Sequence, residues 1–143
     1  AGVSAIAGAF LMIEDAIAYG RERSAFGKPI IKREVWQHKF VDLLTKLEAA
    51  KAYVYQTVDR YNHERYELKQ PLSMDTVKHI SMVKILVGDI ASETADTCLQ
   101  FHGGWGYIED YRIARAWRDQ RLLRIGGGTT EAMKYYVAKL IGL

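Results

Sequence analysis

Apolar residues recur at spacings of three and four along most of this chain, which is the periodicity of helices that bury one face. Ser73 and either Thr129 or Thr130 are candidate N-caps, and a polar segment over residues 62–71 predicts a loop. Nothing resembles a strand. Long helices with short connections favour an all-α fold, an up-down antiparallel four-helix bundle with an extra short helix. The predicted helices cover residues 3–23, 32–61, 74–102, 111–123 and a stretch that begins near residue 130.

The composition is that of an ordinary globular domain, and it argues against several classes of protein. The 143 residues are 49% apolar and 26% charged, which is enough for one domain with a real core. The net charge of +3 comes without a block of like charges, so no nucleic-acid-binding tail is predicted. We also expect no membrane span, because no apolar run approaches the length that a span requires. A single cysteine, Cys98, rules out an internal disulfide and a cysteine-based metal site.

The chain begins inside a helical pattern, since apolar periodicity already runs at Val3. A helix without a cap or a polar lead-in at its start is typical of a segment cut from something longer. We therefore expect residues 1–143 to form one helical domain of a longer polypeptide.

Two glycine-rich segments interrupt the helices, and each has two interpretations. Gly103 and Gly104 either end a helix in a turn or bring backbone amides close to an anionic or flat ligand. The second segment, residues 126–131 (Gly-Gly-Gly-Thr-Thr-Glu), leads straight into a helix. The free amides at such a helix start form a ready anion or carbonyl site.

Other candidate residues stand near these segments. Arg23 with Phe26 offers a phosphate-binding guanidinium beside an aromatic platform, or simply an arginine at the exposed end of a helix. His102 has the best functional case among four histidines, whose spacing predicts no metal site. Cys98 falls on an apolar stripe and is expected in the core. Arginines at every third residue over 112–124 are expected on a solvated or salt-bridged face, where several could meet Asp96, Glu109, Asp110 or Asp119.

Several segments, taken in order, resemble the C-terminal domain of acyl-CoA dehydrogenases. The ordered set covers nearly the whole chain, and its spacings fit the family. Any one segment would be a weak signal, whereas the ordered set is a strong one. The segments are residues 21–30 (Arg-Glu-Arg-Ser-Ala-Phe-Gly-Lys-Pro-Ile), 35–42 (Val-Trp-Gln-His-Lys-Phe-Val-Asp), 100–107 (Gln-Phe-His-Gly-Gly-Trp-Gly-Tyr), 111–115, 117–119 and 125–131.

The resemblance implies an FAD enzyme that oxidises an acyl-CoA thioester to its trans-2-enoyl form. In that family a glutamate removes the α-proton while the β-hydrogen leaves as hydride to the flavin. The bundle would follow an N-terminal helical domain and a middle β domain, and it would form the core of a homo-oligomer, a dimer or a tetramer. The electron-transfer flavoprotein is the implied electron acceptor. The implied location is the bacterial cytoplasm or the mitochondrial matrix.

The resemblance also implies site residues by position. Arg23 and Phe26 would meet the pyrophosphate and adenosine portion of FAD across a subunit interface. Gly127 stands where many members have the catalytic glutamate, so its backbone amide is the implied substrate contact. Glu34 replaces a glutamine that commonly touches the flavin, which puts that contact in doubt. The full set of implied FAD contacts is Arg23, Phe26, Gln100, Phe101, Gly103, Gly104, Thr129, Thr130 and Glu131.

Because Gly127 carries no carboxylate, no catalytic residue is expected within this chain. The long-chain and branched-chain types share this loss, and by resemblance the base would precede Ala1 by about one helical turn. Two alternatives stay open beside a dehydrogenase. One is a catalytically inactive bundle that serves assembly, and the other is an acyl-CoA oxidase.

Overall fold

The computed structural model describes all 143 residues and contains five α-helices. Short helical turns lie between them, of the 3-10 type at Ile30–Lys32, Gly103–Tyr107 and Leu122–Arg124, and of the π type at His63–Glu67. The α-helices are α1 (Gly2–Glu22), α2 (Glu34–Asn62), α3 (Met74–His102), α4 (Arg112–Arg121) and α5 (Thr130–Leu140).

The first four helices alternate in direction along the chain. Gly2 at the start of α1 lies beside Val83 of α3, and Gly20 near the end of α1 lies against Phe101, so α1 and α3 are parallel. α2 runs the opposite way, because Phe40 near its start also packs against Phe101. α4 likewise opposes α1. The predicted all-α bundle with an extra short helix is therefore confirmed.

The core lies between the three long helices. Ile13 of α1, Leu47 of α2 and Val87 of α3 are each no more than 1% exposed. Cys98 is fully buried as its place on the apolar stripe predicts, and burial raises the pKa of its thiol to about 12. The thiol therefore stays neutral and serves as a small apolar core group.

A short hairpin connects α1 to α2, where the sequence predicts no strand. β1 (Ser24–Ala25) pairs antiparallel with β2 (Lys28–Pro29). The two residues between them have positive φ angles, +50° at Phe26 and +82° at Gly27, as in a type I′ hairpin turn. The prediction that the chain contains no strand is therefore wrong. Strands of two residues are too short to produce an alternating pattern in the sequence.

The connection between α2 and α3 also differs from the predicted loop, because the helix continues into the π turn at His63–Glu67. The carboxylate of Glu64 accepts hydrogen bonds at 2.7 Å from the backbone N–H of Ser73, from its hydroxyl and from the hydroxyl of Thr76. Ser73 is the N-cap of α3 as predicted, since its hydroxyl oxygen accepts from the N–H of Thr76. Glu64 thus ties the end of one helix to the start of the next.

We expect Glu64→Gln to reduce the loss of stability on acidification. The backbone N–H of Ser73, followed by the hydroxyls of Thr76 and Ser73, holds the pKa of Glu64 below its ordinary value. A carboxyl whose pKa is lower in the folded state contributes stability that is full above its unfolded pKa, about 4.3, and is lost as pH falls through the folded pKa. Urea midpoints measured between about pH 6 and pH 3 test this. Glu48→Gln, on an exposed carboxylate that pairs only with Lys51, is the matched control, and equal pH slopes in wild type and Glu64→Gln would contradict the prediction.

Two arginines of α4 and of the turn that follows it pair with acids that are distant in sequence. Arg112 forms a two-pronged ion pair with Asp15 of α1, and Arg124 lies 3.1 Å from a carboxylate oxygen of Asp89 on α3. Arg115 instead donates to the backbone carbonyl of Glu109. Arg112 and Arg124 thus pair with none of the four predicted acids, because the packing of α4 and the following turn on α1 and α3 selects Asp15 and Asp89 instead.

By length and composition alone, α1 could cross a membrane, whereas the sequence predicts no membrane span. Its mean hydropathy over 18 residues is 1.4. The helix buries Ile6, Met12 and Ile13 among its neighbours, and Asp15 in its second half pairs with Arg112. These contacts are those of a core helix in a bundle.

Candidate cofactor-binding site

A cleft of about 520 Å³ opens where α1 and α3 both end. It brings together four of the residues that the sequence singles out for cofactor contact, Arg23, Phe101, Gly103 and Gly104. The remaining lining residues are Tyr19, Ile30, His102, Trp105 and Ile108.

The turn Gly103–Tyr107, called here the glycine turn, requires glycine at two positions for two different reasons. Gly103 has φ +61° and donates its N–H to the carbonyl of Gln100, which ends α3. A Cβ on Gly106 would lie 2.5 Å from the carbonyl oxygen of Leu99, so this buried position accepts only glycine. Gly104 meets neither need, since its φ is not positive and a Cβ there would have no atom within 4 Å. The fold does not require a glycine at 104, whereas close approach by a ligand would.

Aromatic rings form the floor of the cleft. Tyr19 stacks on His102 with ring centroids 4.4 Å apart, and its hydroxyl donates to the His102 carbonyl. Phe101 packs edge-on against Trp36 at 4.9 Å and against Phe40 at 5.0 Å. Burial raises the pKa of Tyr19 against the opposing effect of nearby Arg23. The phenol therefore remains neutral and acts as a hydrogen-bond donor.

His102 is a structural residue of this floor, although the sequence made it the best functional candidate among the histidines. It is 4% exposed, and its Nδ1 lies 2.7 Å from the carbonyl oxygen of Cys98. A carbonyl only accepts, so Nδ1 carries a proton and donates it. This hydrogen bond stabilises the last turn of α3, directly before Gly103 and Gly104.

Arg23 supplies the positive charge of the cleft. Its side chain is exposed and forms no ion pair or hydrogen bond with the rest of the chain. Phe26 stands at the tip of the hairpin with 97% of its surface exposed, outside the cleft lining. Gln100 is exposed on the last turn of α3, also outside the lining. The structure thus separates Phe26 and Gln100 from the four cleft residues.

The second glycine segment forms a separate cluster at the start of α5. Gly127 and Gly128 have φ +68° and +107°, and Thr129 caps the helix by accepting from the N–H of Ala132. Thr130 is buried at 3% exposure. The backbone N–H of Glu131 donates to the carboxylate of the same residue and lowers its pKa, which keeps this carboxylate charged at the start of α5.

Lys84 of α3 orders this second cluster, and sequence reasoning missed it. Its ammonium donates to the carbonyls of Leu123 and Gly128, the latter at 3.1 Å. The lysine thereby draws two carbonyls of the loop toward α3. No local pattern indicates this contact, because its partners lie about 40 residues away in sequence.

The two clusters are far apart. Lys84 and Phe101 are separated by 17 residues of α3, which is about 25 Å at a rise of 1.5 Å per residue. Of the nine residues implied as FAD contacts, four line the cleft, three lie at the start of α5, and Phe26 and Gln100 lie outside both. Only an extended ligand could contact both the cleft and the start of α5 on one chain. Otherwise each cluster contacts a different ligand in an assembly.

A cationic cleft with an aromatic floor at the end of a helical bundle suits a ligand that carries both phosphate and flat rings. Residues 1–142 match the family model of the acyl-CoA dehydrogenase C-terminal domain. The chain belongs to the acyl-CoA dehydrogenase family, whose members are flavoprotein oxidoreductases.

The chain is similar to about a third of each of several longer proteins. The mitochondrial long-chain specific acyl-CoA dehydrogenase of Sus scrofa is 34% identical over 96% of this chain and 30% of its own length. A subunit of the caffeyl-CoA reductase-Etf complex of Acetobacterium woodii is 31% identical over 90% of this chain and 32% of its own. The crystal structure of acyl-CoA dehydrogenase from Geobacillus kaustophilus superposes with a TM-score of 0.86 at 28% identity, over 99% of this chain and 35% of that one. The chain thus spans about a third of the length of these relatives.

Proposed function

We propose that this chain is the C-terminal bundle of an FAD-dependent acyl-CoA dehydrogenase subunit, which converts an acyl-CoA thioester to trans-2-enoyl-CoA. The observation that carries the proposal is the cleft in which the unpaired guanidinium of Arg23 stands beside Gly104. A guanidinium is suited to a pyrophosphate, and a glycine that the fold does not need leaves room for it. When bound, FAD would supply the hydride acceptor for this oxidation.

The cofactor contacts lie in two regions, one formed by the cleft with the neighbouring Phe26 and Gln100 and one at the start of α5. Arg23 binds the pyrophosphate, Phe26 stacks on the adenosine portion, and the segment from Gln100 through Phe101 and Gly103 to Gly104 lies along the same part. The second cluster, Thr129, Thr130 and Glu131, contacts FAD at its phosphate end. The 25 Å or so between the clusters supports a cofactor held between two copies, one cluster from each. The full exposure of Phe26 supports the same arrangement, since such a ring is free to enter a neighbouring subunit.

Gly127 binds the substrate through its backbone. An α-proton of a thioester is removed more easily when a donor stabilises the charge that develops on the carbonyl oxygen. The amide of Gly127 supplies such a donor without a side chain, and the general base comes from a glutamate that precedes Ala1. The absence of a carboxylate from residues 126–130 supports a base placed elsewhere.

We expect Gly127→Glu in the full-length enzyme to add no rate while the upstream base is intact, and to shift preference toward shorter acyl chains. A Cβ at this position has only the Cε of Lys84 near it, at 4.0 Å, so the new side chain fits and fills space. The φ of +68° costs a non-glycine residue roughly 1–2 kcal/mol, which lowers stability without unfolding the protein. Steady-state kinetics over a series of acyl-CoA lengths measures the shift. Gly126→Ala is the control for the loop, and an unchanged length profile in Gly127→Glu would remove Gly127 from the acyl site.

The partners follow from the same proposal. The bundle associates with its own N-terminal and middle domains and with further copies, as a dimer or a tetramer. An electron-transfer flavoprotein would be the electron acceptor, which is supported by the Acetobacterium woodii relative being a subunit of a complex with an Etf. The enzyme resides in the bacterial cytoplasm or the mitochondrial matrix, and the mitochondrial Sus scrofa relative agrees with the second location.

The test is anaerobic reduction of the purified full-length protein by acyl-CoA. We expect bound flavin, bleaching of its absorbance by a long or branched acyl-CoA, and a trans-2-enoyl product by mass spectrometry. Flavin without bleaching would favour an inactive bundle that serves assembly. Rapid reoxidation by dioxygen with release of hydrogen peroxide would favour an oxidase. A protein that binds no flavin would contradict the proposal.

A further inference from the structure

The turn that carries Phe26 is conformationally unfavourable for that residue. Phe26 adopts φ +50° and Gly27 follows with φ +82°. Both central positions of such a turn usually hold glycine, asparagine or aspartate, because a Cβ there crowds the backbone. A bulky side chain in this region is a true outlier, and its ring is 97% exposed rather than packed. Something other than the burial of Phe26 must stabilise the turn.

Arg33 contacts this turn from the start of α2. Its Nη2 donates to the carbonyl of Ala25 at 2.7 Å and lies 3.4 Å from that of Phe26. Its guanidinium carbon is 5.4 Å from the centroid of the Phe26 ring, within the range of a cation–π contact. The half-buried side chain of Arg33 therefore contacts the carbonyls of Ala25 and Phe26 and also the Phe26 ring.

The backbone of Arg33 is itself held in place. Its N–H donates to the carbonyl of Ile30, and its carbonyl accepts from the N–H of Trp36 in the first turn of α2. The side chain thus extends from an ordered helix start and spans the open side of the hairpin. Such a contact resists any relaxation of the turn toward negative φ.

We propose that Arg33 is a positioning residue that keeps the turn in its unfavourable form and holds the Phe26 ring outward to stack on the nucleotide ring of the cofactor. Arg33 acts through Phe26 and does not touch the cofactor. The inference rests on the proposed function for the identity of the ligand, whereas the bracing of the turn by Arg33 stands on geometry alone. Lys32 and Lys28 beside it do not serve this role, because neither forms a hydrogen bond to the turn.

The first arm of the test measures the order of the turn without cofactor. Chymotrypsin cleaves after an accessible phenylalanine in a flexible segment, and mass spectrometry identifies the fragment that ends at Phe26. In the full-length apoprotein we expect Arg33→Ala to speed this cleavage by about tenfold, on the scale of one or two lost hydrogen bonds. Arg33→Lys keeps one donor and should rescue part of the protection. Lys32→Ala is the matched control and should cleave as wild type does.

The second arm measures the dissociation constant for FAD by titration of the same apoproteins. We expect Arg33→Ala to raise it about fivefold to tenfold, and to have no further effect in a Phe26→Ala background, where no ring is left to position. A loss of the same size in both backgrounds would overturn the inference, because it would mean that Arg33 acts on the cofactor directly. Unchanged cleavage in Arg33→Ala would also overturn it.

The two proposals fail in different ways. If Arg23→Ala and Phe26→Ala both leave FAD affinity unchanged while Arg33→Ala still speeds cleavage, the placement of FAD is wrong and the bracing of the turn stands. If Arg23→Ala weakens FAD binding but Arg33→Ala changes neither readout, the cofactor site stands and Arg33 is not a positioning residue.

Discussion

Arg23→Ala in the full-length subunit is expected to weaken FAD binding by about tenfold to a hundredfold. A hydrogen bond to a charged group contributes roughly 1.5–3 kcal/mol, and each 1.4 kcal/mol is a factor of ten in the dissociation constant. Arg23 has no ion pair in the chain, so its removal leaves no charge unpaired and should change folding little. Titration of the apoprotein with FAD, followed by flavin absorbance, measures the loss.

Arg21→Ala is the matched control for this experiment. Arg21 is an exposed arginine on the last turn of the same helix, and it does not line the cleft. Charge removal at Arg21 should therefore leave FAD affinity within about twofold, the effect expected of an exposed charge that does not line the cleft. Equal losses in both variants would indicate a general charge effect and would remove Arg23 from the cofactor site. Full flavin retention in Arg23→Ala would make Arg23 a surface charge only.

Leu47→Ala is expected to lower the free energy of unfolding by about 2–5 kcal/mol, the usual cost of truncating a buried leucine. Leu47 is 0% exposed in the middle of α2, where it packs against the apolar faces of α1 and α3. The truncation removes buried contacts and leaves a cavity that long, interlocked helices cannot close. Urea unfolding followed by circular dichroism measures the change.

Val41→Ala on the same helix is the control for Leu47→Ala. Val41 is 60% exposed, so its truncation should change stability by no more than about 0.5 kcal/mol. A similar small effect at Leu47 would mean that α2 packs in a different register from the one described. The comparison therefore tests which face of α2 is buried, as well as how much the burial of Leu47 contributes to the free energy of unfolding.

The candidate site was only partly predictable from the sequence. The glycine turn and Arg23 stand out because glycine runs and helix-end arginines are local signals, and four of the named residues do meet in one cleft. Tyr19 and Lys84 gave no such signal. Tyr19 matters because it stacks on His102, and Lys84 because it reaches Leu123 and Gly128. Both contacts depend on how distant helices pack.

The sequence by itself determined which segments are helical and that Ser73 caps α3, and it narrowed the cap of α5 to Thr129 or Thr130. Both observed caps, Ser73 and Thr129, accept from a backbone N–H three residues on. Such interactions are local, so they are written in neighbouring residues. Only the tertiary structure decided that Arg112 pairs with Asp15 across 97 positions, and that seven of the nine implied cofactor residues fall in two clusters about 25 Å apart. Those outcomes depend on the alignment of whole helices, which the summed packing of their buried faces sets and no single motif encodes.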